Sequence, residues 1–211
     1  MGLLIFPVFA ILGFALHFSA LPNFFHFRWQ RPPYDAGRLF DALTAGHGGH
    51  FMMAHVIVDL SLPFLVLIVM VLGLYLYRSA PWLALLGVAV GMVGLLALAG
   101  VMASWLGFGA INHVAPADYP GARSALIELT RIQGALGWHT YVSYGAFIGV
   151  MMLAAGLWLR RQFPGWAMGC LIVGCTLFLL FMDMDNWMLI GTVLMGAGLV
   201  PVMRRLWRAE K

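Results

Sequence analysis

Residues 53–77, MAHVIVDLSLPFLVLIVMVLGLYLY, and residues 81–105, PWLALLGVAVGMVGLLALAGVMASW, decide the fold of this chain. Only Arg78, Ser79 and Ala80 separate the two apolar runs, and Asp59 is the one Asp, Glu, Lys or Arg inside either. A helix rises about 1.5 Å per residue, so about 20 apolar residues cross a hydrocarbon core of about 30 Å. Both runs exceed that length, and joined so closely they read as a transmembrane hairpin.

Similar segments flank the hairpin at Gly2–Leu21, Thr140–Leu159, Gly165–Met182 and Trp187–Met203. The first lacks the basic residues that precede the apolar core of a signal peptide, so it reads as a span. The last two are short, and Asp183, Met184, Asp185 and Asn186 join them. One long helix through that joint would bury two carboxylates in lipid, which is costly. Six transmembrane helices are therefore expected, with five as the alternative.

Composition agrees. Of the 211 residues 63% are hydrophobic and 9% charged, and the mean hydropathy is +0.92. A soluble domain carries about 25% charged residues. A soluble enzyme, a DNA-binding domain and a disordered chain are excluded. The basic residues form no patch for nucleic acid; they sit between spans, where they set topology. The expected fold class is all-α, a polytopic membrane helix bundle forming one domain over residues 1–211. Cys170 and Cys175 lie about 140° apart on one helix, which rules out a disulfide between them.

Loop charge sets the orientation. Arg78, Arg160, Arg161, Arg204, Arg205, Arg208 and Lys211 share one side with Glu210 alone. The other side holds Arg28, Arg31, Arg38, Arg123 and Arg131 against Asp35, Asp41, Asp118, Glu128, Asp183 and Asp185. The positive side is expected to be cytoplasmic, with both termini there, as in a bacterial inner membrane.

Two long connections then face outward, each with a short helix. Asp35 suits an N-cap and Gly46 a C-terminal stop around Leu39, Phe40 and Leu43. Ala122, Leu126, Leu129, Ile132 and Leu136 recur at helical spacing in the second. These interfacial helices would lie along the membrane or cover the bundle mouth. Within the bundle, Gly87 with Gly91, Gly145 with Gly149, and Gly165 with Gly169 are spaced for close helix contacts.

The histidines are the most informative feature. His17, His26, His47, His50, His55, His113 and His139 all fall on the outer side. Imidazole ligates both metals and haem. Gly46-His47-Gly48-Gly49-His50 offers two rings on flexible backbone, and His55 and Asp59 share a helix face four residues apart. An intramembrane carboxylate needs a partner, and a cation or a ligating His55 would supply one. His50, His55, Asp59, His113 and His139 are the candidate metal ligands. At least two of the four histidines should meet at one ion, with Asp59 beside it. His17, alone on an apolar helix, is a candidate for haem or pigment. His26, among Phe24, Phe25, Phe27 and Trp29, fits an interfacial aromatic belt.

The cofactor expected is a haem or a transition metal: copper, iron or zinc. Ligands in one layer would hold one centre and not carry electrons across the bilayer. The leading reading is an integral membrane subunit of a bioenergetic or oxidative complex, in contact with lipid and other membrane subunits. A non-catalytic scaffold, assembly or pigment-binding subunit is the alternative, and a metal-handling permease the third.

Overall fold

The computed structural model describes residues 2–20, 36–135, 138–181 and 185–209. Among them the chain is helical, without a β-strand. A 3-10 turn at Gly2–Leu4 leads into α1 (Ile5–Ala20). Then come α2 (Ala36–Ala42), α3 (Gly48–Tyr77), α4 (Pro81–Gly109), α5 (Tyr119–Ala135), α6 (Trp138–Ser143), α7 (Gly145–Leu159), α8 (Gly165–Leu180) and α9 (Asp185–Ala209).

Four helical stretches are long and apolar enough to cross a membrane: Phe51–Tyr77, Pro81–Ser104, Trp138–Leu159 and Asn186–Arg208. Gly2–Leu16 and Gly165–Leu180 are apolar but shorter. The six pack in chain order. α1 lies on α3, α3 on α4, α4 on α7, α7 on α8 and α8 on α9; α9 returns to α1, closing a ring. α3 and α7 also meet across it. α8 and α9 are separate helices folded back on each other, so the Asp183–Asn186 region joins a hairpin, although residues 182–184 lie outside the described residues.

Proline and small residues set the local geometry. Pro81 starts α4, where its missing N–H costs no helical hydrogen bond. In lipid, apolar side chains gain little by leaving one apolar medium for another, so helices associate through close van der Waals packing. The α4–α7 contact is backbone on backbone. A Cβ on Gly149 would lie 2.5 Å from the Gly91 Cα and 2.7 Å from the Gly87 oxygen. The expected contacts of Gly87, Gly91, Gly145 and Gly149 are all present.

The third expected pair makes no backbone-on-backbone contact. Gly169 faces open space, and a Cβ on Gly165 would meet only the Trp158 side chain. Helices α8 and α9 instead touch through Gly174 against Gly191, and Gly198 against Ala167. Spacing identifies glycines on one face; it does not say which face meets a neighbour. Between the helices, Phe147 and Phe178 stack at 4.6 Å, and Phe14 lies 6.0 Å from Phe178. Gly13 abuts Ala54 and Val58, which sets the neighbouring Phe14 near the depth of His55. Both cysteines are free thiols, and Cys175 is buried.

Candidate functional site

The described parts of the two long connections pack together as one cap. Phe40 and Leu43 from the first, Phe51 at the start of α3 and Leu126 of α5 are buried together. Leu39, Ile111, Tyr119 and Ala122 pack around them. Phe40 and Tyr119 meet edge to face at 5.5 Å, and Arg123 pairs with Asp41 at 3.7 Å. The short α2 covers only the beginning of α5, so Leu126 is buried while Leu129, three residues on, is half exposed. Ile132 has no described side chain, and Leu136 lies outside the described residues.

Gly46 is the expected stop. Its φ of +93° is a left-handed conformation that suits glycine, and it turns the chain from α2 into α3. The flexible loop expected to follow is absent: Gly48, Gly49 and His50 already belong to α3. Phe51 is anchored in the cap core, which carries the helix back to Gly48. Asp35, read as the N-cap of α2, lies outside the described residues.

The cap brings distant histidine-bearing segments together. The 3-10 turn Ala110–His113 packs against Leu43–His47 and against α3. His113 is exposed on that turn. The side chains of His17, His47 and His50, and all of His26, lie outside the described residues. Among the described residues, no three His, Cys, Asp or Glu side chains form a group able to hold a metal ion.

His55 has the best-defined setting of the candidates. Its Nδ1–H donates to the Phe51 carbonyl at 2.8 Å, and its ring rests 4.1 Å from that of Phe51. This hydrogen bond selects the tautomer whose lone pair is on Nε2. One turn on, Asp59 is partly buried, and its side chain makes no hydrogen bond or ion pair among the described residues. Pro63 has no N–H, so the Asp59 carbonyl lacks its usual helical donor. A carboxylate and a carbonyl oxygen thus lie on one residue, a turn from an imidazole. His139 is on α6, which packs on α4 and α7, and its exposed ring lies 3.8 Å from that of Trp138.

Buried polar residues elsewhere are satisfied locally. Ser61, Ser143 and Thr192 donate to the carbonyls of Val58, Thr140 and Met188 in their own helices. Met188 packs on the core; Met182, Met184 and Asp183 lie outside the described residues. Comparison with family models, curated proteins and solved structures found no match.

Proposed function

We propose that the chain is a six-helix integral membrane subunit of a bioenergetic or oxidative complex, binding a transition metal through its histidine-bearing cap. One observation carries the reading: the Ala110–His113 turn lies against Leu43–His47 and the helix that bears His50, His55 and Asp59. At least two of His50, His55, His113 and His139 ligate one ion, with Asp59 in or beside the ligand set. The His55 tautomer suits a ligand, because metal-bound histidines usually donate their other ring N–H to a carbonyl or carboxylate.

Helix length explains how such a site tolerates the bilayer. α3 has 30 residues, about 45 Å, against a hydrocarbon core of about 30 Å. With Tyr77 at one boundary, Asp59 lies about 27 Å away, at the other boundary rather than deep in lipid. His55 and His50 then stand above it. The cap faces outward and both termini are cytoplasmic, in keeping with the arginines at the opposite end, with the cap helices over the bundle mouth.

Elemental analysis and an absorption spectrum of protein purified in mild detergent test the proposal. About one copper, iron or zinc per chain is expected; metal-free protein that binds none when supplied with each ion overturns it. The exposed His139 ring resting on Trp138 favours the scaffold as the second reading, which that negative result would promote.

A further inference from the structure

At the end of the bundle opposite the cap, Trp158, Leu159, Arg161, Phe163 and Gly165 line a cavity of about 430 Å³. It lies where α7 ends and α8 begins. Arg160 and Gln162 donate backbone N–H groups to the carbonyls of Gly156 and Leu157, closing the end of α7. Glycine usually takes the left-handed position of such a cap, but here Arg161 takes it, with φ of 53°. A side chain with a Cβ is disfavoured in that conformation. The turn is nevertheless held firmly. Arg205 donates to the Gln162 carbonyl at 2.9 Å, and its guanidinium lies 5.2 Å from the Phe163 ring centre and 5.4 Å from that of Tyr75. Gln162 in turn donates to Ser79 Oγ at 2.6 Å, tying in the α3–α4 turn.

Charge and exposure say what fits there. Arg160, Arg161, Arg204 and Arg208 make no ion pair among the described residues. Trp158 is 51% and Leu159 79% exposed on the outside of the bundle, and Trp82, Trp166 and Trp207 are exposed near the same end. Tryptophans at this level mark a membrane–water interface. A cation beside an apolar wall at such a boundary matches a phosphate joined to an acyl chain.

We infer that this cavity binds the headgroup of an anionic phospholipid, with Arg161 on the phosphate and Trp158, Leu159 and Phe163 against the glycerol and upper acyl chain. The inference rests on the chain's lying in a bilayer and is independent of metal at the cap.

Native mass spectrometry of the full chain, with phosphatidylglycerol or phosphatidylcholine added to detergent micelles, tests it. A basic residue near a membrane surface contributes roughly 5-fold in affinity for an anionic lipid. Wild type should prefer phosphatidylglycerol by about that factor. Arg161→Gly should abolish the preference while keeping the fold, because glycine relaxes the positive φ; thermal unfolding checks that it does. Arg161→Lys should retain the preference, and Arg208→Gln should leave it unchanged. Equal binding of the two lipids by wild type, or equal losses in Arg161→Gly and Arg208→Gln, overturns the inference. Displacement of the lipid by glycerol 3-phosphate would also overturn it, because the site would then serve a free phosphate.

Discussion

Gly149→Ala adds one methyl group where α4 and α7 touch. Its Cβ would lie 2.5 Å from the Gly91 Cα and backbone nitrogen and 2.7 Å from the Gly87 oxygen. All three are backbone atoms, so no side-chain rotation relieves the clash. Ordinary van der Waals contact begins near 3.4 Å, and the helices must separate by about 1 Å to restore it. A gap of about that size forfeits a quarter to a half of each atom pair's dispersion energy along the contact. Overpacking of this kind costs about 1–3 kcal/mol, offset by about 0.5–1 kcal/mol when glycine becomes alanine in a helix. Gly169→Ala is the control, since open space surrounds that position. It receives the helix gain without the clash. The variants should differ by about 2 kcal/mol, or roughly 4–8 °C in Tm for a chain of this size. Circular dichroism during heating in one detergent measures this. Equal Tm values, or a lower one for Gly169→Ala, would refute backbone contact as the basis of the α4–α7 interface.

Phe40→Ala should loosen the cap without unfolding the bundle, because its cluster is separate from the transmembrane core; a buried Phe→Ala change costs about 3–5 kcal/mol. Hydrogen exchange should accelerate in α2 and α5 and stay slow in α7 and α8. Cysteine labelling of intact cells should succeed at Ala45→Cys and Ala125→Cys and fail at Arg208→Cys; the reverse pattern would invert the proposed orientation.

Features set by local chemistry were legible in the sequence. Apolar run length gave the helical class, Gly46 the stop after α2, and the charged joint before Asn186 the break between α8 and α9. Features set by pairing were not. Gly174, Gly191 and Gly198 make backbone contacts nearly as close as those of Gly149, but each depends on a partner in the other helix of the hairpin. Gly165 and Gly169 carry the same spacing, but Gly165 meets only the Trp158 side chain of α7 and Gly169 meets nothing. The cap is the clearest case. Leu43 and Leu126 belong to separate amphipathic patterns, each of which could have rested on lipid, and only the tertiary fold buries them together. Continuation of α3 through Gly48 and Gly49 depends on the same cluster, which anchors Phe51 and overrides the low helix propensity of glycine.

Cap segments far apart in sequence are proposed to serve one metal ion. Titration of metal-stripped protein with zinc or copper, for wild type, His50→Ala, His113→Ala and His139→Ala, tests it most directly. One ion per wild-type chain is expected, with a loss of affinity of about 10-fold or more, on the order of that for a disturbed metal shell, in at least one of the variants. Wild-type affinity in all three would contradict it.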